Sequence, residues 1–153
     1  MEQNNYQDTY TDLPAQYVTF RVGELLFGVD VSYVQEVLRS QPMTPIPLAP
    51  KAVKGLVNLR GQIITAIDLG SLLGLESTQG EPPSMNVVIR SEGERVSLLV
   101  DSIGDVLEME EGDYEEIPET VPSHIAAIVQ GVFKLSDELL LVLDGKSVTT
   151  PAN

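Results

Sequence analysis

Arg60 and Gly61 sit at the centre of GLVNLRGQIITAIDL, residues 55–69, between two apolar runs. An arginine there could anchor a partner's carboxylate or backbone carbonyl. Its planar fork donates hydrogen bonds in fixed directions, and it is enriched at interface hot spots. A glycine beside it could supply a positive φ or admit a close approach. Arg60 could equally be a surface arginine in a polar turn. Few other residues offer chemistry. His124 is the only histidine and follows Pro122 ahead of an apolar run, which suits a helix start or a surface position. One His and no Cys give too few ligands for zinc, and exclude a cysteine nucleophile or a disulfide. EMEEGDYEE (108–116) lacks the acid spacing of an EF-hand loop. Glycines are isolated, so no phosphate-cradling loop is present, and no Ser–His–Asp order surrounds His124. The expectation is therefore no catalytic residues, no metal, no cofactor and no enzyme activity.

Charge narrows the partners. The 153-residue chain has a net charge of -14 and lacks the clustered Lys and Arg that nucleic acid or an anionic membrane surface would need. Arg39, Lys51, Lys54 and Arg60 lie close together, whereas nothing basic falls between Arg95 and Lys134. Nine acids from Asp101 to Glu119 fill that gap, either as a solvated acidic loop or as one face of a protein-docking surface. No apolar run approaches the length of a membrane helix, and MEQNNYQDTYTDL is polar without a signal-peptide pattern. The absence of Cys suits the cytoplasm.

These residues must be positioned by short elements. Residues 1–14 carry no apolar period and read as a flexible tail. YVTFRV and GELLFGVD read as a hairpin, and VSYVQEVL as a short turn or helix leading into a strand near 34–38. QPMTPIPLAP is extended. PKAVKGLV suggests one or two helical turns, with Pro50 in the first turn. Strands follow on either side of Arg60-Gly61. A brief helix starts at Asp68 as N-cap and ends at Gly74. ESTQGEPPS (76–84) punctuates the chain, and the pattern then restarts.

The restart is an internal repeat. GLVNLRGQIITAIDLGS (55–71) aligns with GVFKLSDELLLVLDGKS (131–147) without a gap, pairing Gly55 with Gly131, Asp68 with Asp144 and Ser71 with Ser147. YVTFR (17–21) aligns with NVVIR (86–90), EVL (36–38) with DVL (105–107), and Ile46-Pro47 with Val121-Pro122. Shared Asp68 and Asp144 read as helix caps. Asn58, Arg60, Gly61 and Gln62 face Lys134, Ser136, Asp137 and Glu138, so the turn is shared but its chemistry is not. About five strands per copy suit a mainly β fold of two small barrels. Lobes of that size are marginal alone, so they should share an aliphatic core. The expected unit is 15–149, with a first half near 15–79, a second near 80–149, and strands free to cross over between the lobes.

VNLRGQIITAIDL (57–69), with IPLAPKAVKGLVNLRG, FGVDVSYVQEVL (27–38) and VSLLVDSIGDVLEME (96–110), resembles the CheW-like domains of bacterial chemotaxis scaffolds. The resemblance implies two five-stranded β-barrels packed about a hydrophobic core. It implies a cytoplasmic, non-catalytic adaptor, recruited to membrane receptor arrays and monomeric in isolation. Its partners would be a methyl-accepting chemoreceptor tip and the regulatory domain of a CheA-type histidine kinase. Carried onto this chain, the receptor-facing residues are Val34, Glu36 and Arg60, with Asn58 and Gly61 shaping the turn; Ile103, Gly104 and Val106 are kinase-binding candidates. A pilus-motility or other non-flagellar pathway, or a small-molecule sensor module, is the alternative.

Overall fold

The structure is a computed structural model and describes residues 15–75, 83 and 85–149; the tail expected at 1–14 and most of 76–84 lie outside the described residues. Eleven strands are described: β1 (Ala15–Val22), β2 (Leu25–Asp30), β3 (Val34–Arg39), β4 (Val53–Leu59), β5 (Gln62–Asp68), β6 (Met85–Ser91), β7 (Glu94–Val100), β8 (Ser102–Met109), β9 (Tyr114–Glu115), β10 (Val129–Lys134) and β11 (Leu139–Leu143). Three short helices accompany them: α1 (Leu69–Leu72), α2 (Ser123–Ala126) and α3 (Gly145–Thr149). A 3-10 turn, Val31–Tyr33, leads into β3 as its ambiguous sequence suggested; Asp30 accepts from the Ser32 N–H at 2.9 Å and starts it. The Asp68 side chain accepts from the Ser71 N–H at 3.3 Å, and Asp144 from the Lys146 N–H at 3.0 Å, so both shared aspartates are caps. Gly74 ends α1 with φ +73°.

The helical turns expected in PKAVKGLV are absent. The Val53 N–H donates to the Pro50 carbonyl at 3.0 Å, closing a reverse turn, and β4 begins at once. The Asp68 N–H donates to the Ala52 carbonyl at 2.8 Å and draws the segment beside β5. A ladder along Val53 to Leu59 satisfies more backbone than one helical turn could.

Two sheets form, ordered β8-β1-β2-β11-β10-β9 and β3-β6-β7-β5-β4. Each draws strands from both copies of the repeat. The copies agree in register. Val53 pairs with Ile67 and Gly55 with Ala66 across a bulge; Val129 pairs with Leu143 and Gly131 with Val142 across the same bulge. The parallel contacts agree too, Thr65 with Val96 and Leu141 with Phe27. Gly55 and Gly131 share a second task. A Cβ on Gly55 would lie 2.5 Å from the Thr44 carbonyl oxygen, and one on Gly131 would collide with the Tyr114 ring. Thr44 bridges to Leu56 by two backbone bonds, and Tyr114 lies in β9 beside β10, so each glycine lets an edge segment cross a β-strand closely. The acidic stretch is thus partly structured: β9 makes the first sheet six-stranded.

Three apolar clusters follow from the alternation of side chains. Val57, Leu59, Ile64, Ala66, Val88 and Leu99, with Leu38 against them, gather inside the five-stranded sheet. Tyr17, Leu26, Phe133, Leu140 and Val142 do so on the six-stranded sheet. Between the sheets lies the largest cluster, including Phe20, Phe27, Ile67, Ile89, Leu98, Val132 and Leu143. That is the shared aliphatic layer the repeat called for.

Candidate functional site

The β4–β5 hairpin is closed by two residues, since Leu59 pairs with Gln62. Arg60 has φ 51° and Gly61 φ 85°, the pair of positive values that suits the right-handed twist of a tight hairpin. Asn58 Oδ1 accepts from the Gly61 N–H at 3.0 Å and braces the turn. In the second copy the Leu135 N–H donates to the Glu138 carbonyl at 2.8 Å, closing the turn at the same repeat position around Ser136-Asp137, with neither of them at positive φ.

Arg60 projects outward from this turn, with 75% of its side chain exposed, and its Nη1 donates to Glu36 Oε2 at 2.5 Å. Glu36 is on β3 with a side chain only 17% exposed. The hydrogen bond from Arg60 holds the Glu36 carboxyl below its ordinary range, and the same bond pushes the guanidinium further up. β3 and β4 are opposite edges of the five-stranded sheet, separated by β6, β7 and β5. The ion pair therefore spans the seam between the edges, and the sheet must curl for the two groups to meet.

Around this pair the candidates separate. Val34 is half-buried, sits opposite Ile89 and packs against the central cluster. Val37, on the same strand, is the exposed valine. Ile63 lies opposite Asn58 and is 60% exposed at the hairpin tip. It shares a strand face with the core residue Ile67 but extends past the edge of the central layer. Its place directly after the polar turn is the signal in the sequence that it is uncovered.

Ile103, Gly104 and Val106 all lie on β8, an edge strand of the other sheet. Ile103 packs against the central cluster, Gly104 lies at the bulge in the β1–β8 ladder, and Val106 is 53% exposed. By the repeat, β8 corresponds to β3: Val34 to Ile103, Glu36 to Asp105, Val37 to Val106. The structure brings Glu36, Asn58, Arg60 and Gly61 together and places the β8 group on the equivalent edge of the other sheet. His124 is exposed in α2 beside the Gly74 turn. No group of His, Asp and Glu fit to hold a metal occurs among the described residues. The layer between the sheets is packed with aliphatic side chains, which counts against a ligand-sensing module.

A duplicated β-sheet protein with a charged hairpin presented at a sheet seam is a recognition module. More particularly, the chain belongs to the CheW-like domain family, which matches residues 16–151. It is 32% identical over 133 residues to a chemotaxis protein CheW of Treponema pallidum, covering 84% of this chain and 78% of that protein. A chemotaxis protein CheW of Rhizobium meliloti is 28% identical over 133 residues, covering 87% and 86%. Among solved structures, the scaffolding protein TtCheW of Thermoanaerobacter tengcongensis superposes with a TM-score of 0.78 at 30% identity, covering 86% of this chain and 90% of that one.

Proposed function

We propose that this chain is a non-catalytic chemotaxis scaffold that couples methyl-accepting chemoreceptors to a CheA-type histidine kinase. It works in the cytoplasm and is recruited to membrane receptor arrays. No described helix is long and apolar enough to cross a membrane. Family membership supplies the role, and the outward Arg60 on its braced turn carries the assignment of a receptor face. That face comprises Arg60 and Glu36, with Val34 beneath and Asn58 and Gly61 holding the turn. A helical receptor tip would meet Arg60 as a donor already oriented by Glu36, and Val37 and Ile63 as apolar contacts. The kinase regulatory domain would meet β8, through Val106 above Ile103 and Gly104. Separate edges allow one chain to hold both partners at once.

Reconstituted receptor–kinase complexes test this. Arg60→Ala is expected to lower receptor-dependent kinase activation while leaving pull-down of the kinase regulatory domain intact. Val106→Asp is expected to do the reverse in the pull-down. A folded Arg60→Ala protein with an unchanged activation curve removes Arg60 from the receptor face. Failure of the unsubstituted chain to bind the kinase domain sinks the coupling role itself.

A further inference from the structure

Each strand of the five-stranded sheet brings a polar residue to one rim, Arg60 by way of the turn after β4. Val88 and Leu99 belong to the cluster inside that sheet, and by the alternation of side chains Arg90 on β6 and Arg95 on β7 share their face. Arg90 and Arg95 are cross-strand partners, directly opposite each other. Arg95 donates from Nη1 to Gln62 Oε1 at 2.8 Å, and Gln62 opens β5 opposite Leu59, the residue before Arg60. Arg60 donates to Glu36, which lies opposite Val88 and so diagonal to Arg90. The circuit Glu36, Arg90, Arg95, Gln62, Arg60 thus runs once round the curled sheet. It holds three guanidiniums and one carboxylate, in a chain of net charge -14. Like charges directly opposite on a sheet repel. The ion pairs of the described residues include neither Arg90 nor Arg95, and the Arg95 Nε is buried with no hydrogen-bond partner among those residues.

The other sheet builds the equivalent rim without this excess. By the repeat, Arg90 and Arg95 correspond to Arg21 and Leu26, which again lie opposite each other, on β1 and β2. Gln62 corresponds to Glu138, Glu36 to Asp105 and Arg60 to Ser136. Glu138 accepts two hydrogen bonds from Arg21, of 3.0 and 2.8 Å, so that arginine meets a carboxylate of its own chain. At the first rim a neutral amide stands in place of that carboxylate, and a second arginine in place of the leucine. The shared fold requires neither change, since the other sheet closes without them. Below the first rim the curled sheet is lined by Val57, Leu59, Ile64 and Val88, so the arginines border an apolar interior. Electrostatic contacts made there are stronger than in open water.

We propose that this rim binds an acidic side chain of the chemoreceptor tip, with Arg90 and Arg95 supplying the forks that meet its carboxylate and Arg60 flanking it. The inference rests on the receptor face proposed above, because Arg60 and Glu36 belong to both. It adds two residues to that face and a demand on the partner. Glu36 already takes a donor of Arg60, whereas Arg90 is exposed and outside every ion pair of the described residues. Arg95 is half-buried and steadied by Gln62, so its fork is held in place before the partner arrives. A planar guanidinium suits a carboxylate through two parallel hydrogen bonds. The receptor's acid then does for Arg90 what Glu138 does for Arg21, and it relieves the repulsion between the two opposed arginines. A tip with a neutral residue at that point leaves the repulsion in place, so the rim discriminates among receptors.

Isothermal titration of the full chain with a soluble chemoreceptor fragment carrying the cytoplasmic tip reads the contact. Arg90→Ala is expected to weaken binding about five-fold and Arg90→Glu at least about ten-fold, with pull-down of the kinase regulatory domain unchanged. Arg90 is exposed, so both variants should fold as the parent does. The parent's affinity should fall more steeply with added salt than that of Arg90→Ala. Converting the acids of the tip to their amides one at a time should find one whose loss makes Arg90→Ala silent. Receptor binding unaffected by Arg90→Glu overturns the proposal; if Arg60→Ala still weakens it, the receptor face stands without these two arginines. No binding of the fragment by the unsubstituted chain overturns both. If millimolar inorganic phosphate shifts the Arg95 side-chain NMR signal while Arg90→Glu leaves receptor binding unchanged, the rim takes a free anion and the proposal is equally overturned.

Discussion

Arg60 is exposed while Glu36 is mostly covered, and that asymmetry decides what each can do. An exposed ion pair contributes little to stability, because water and salt screen it and the long arginine must be ordered. Arg60→Ala should therefore leave the thermal midpoint almost unchanged while freeing Glu36. The pair should also titrate. Since Glu36 is held below its ordinary range, its contribution is fully present above the unfolded carboxylate value and is lost as pH falls through the lower folded value. Carboxyl-carbon NMR should find Glu36 titrating below a normal glutamate in the parent and returning upward in Arg60→Ala; an unmoved value would show that Arg60 is not its cause. Gly61 makes a different demand. At φ 85° with open space where a Cβ would go, Gly61→Ala meets only backbone strain, expected to cost about 1 kcal/mol by urea denaturation with an unchanged slope. The turn was legible in the sequence because Asn58, Arg60 and Gly61 interrupt apolar runs. Glu36 as its partner was not legible from spacing, since the two lie on opposite edges of a sheet and meet only when it curls; the family resemblance alone put them in one group.

At the scale of elements, the repeat explains most of what could be read. Matching glycines at 55 and 131 turn out to be a shared bulge with an edge segment lying over it. Matching aspartates at 68 and 144 are caps because each precedes a short helix with its side chain aimed at exposed N–H groups. The reading failed at Pro50–Val53, where a proline followed by Ala, Val and Lys fits a first helical turn locally and only the neighbouring β5 makes a strand preferable. It was incomplete at the acidic stretch, where charge suggested a loop or a docking face. Tyr114 instead packs edge-on to Phe133, with ring centroids 5.3 Å apart, and Phe133 in turn contacts Tyr17 at 5.4 Å. Burial of this kind pushes the Tyr114 hydroxyl up from its ordinary value. The aromatic contact is expected to need Gly131. Gly131→Ala should displace Tyr114 and destabilise the fold by about 1–3 kcal/mol, the range for overpacking. Combined with Tyr114→Ala, the loss should be smaller than the sum of the two single losses, because the alanine then has room. Strict additivity in thermal or urea unfolding would mean that the ring yields without cost and that β9 does not depend on the glycine.

For the whole molecule, duplication has a consequence that sequence halves conceal. The six-stranded sheet takes β1 and β2 from the first copy and β8 to β11 from the second, whereas the five-stranded sheet takes β3 to β5 from the first and β6 and β7 from the second. A cut between β5 and β6 therefore leaves no sheet intact. It severs the β1–β8, β2–β11, β3–β6 and β5–β7 ladders and opens the central cluster that both sheets share. Each fragment would keep only short hairpins, and two- or three-stranded pieces without a covered apolar face are not stable in water. The expectation is that fragments 15–75 and 83–149, produced separately, show the circular dichroism of unfolded chains. Mixed or co-expressed, they should recover the β spectrum and cooperative melting of the parent, since every severed ladder can re-form between chains at the cost of an association step. A fragment that folds alone would mean that local pairing within one copy outweighs the exchange of strands. The exchange also bears on function: β3 with the Arg60 hairpin and β8 with Val106 belong to different sheets, yet they are tied through the same central layer. A substitution in that layer, such as Leu98→Ala, is expected to cost about 2–5 kcal/mol and to weaken receptor and kinase binding together, unlike changes at either edge.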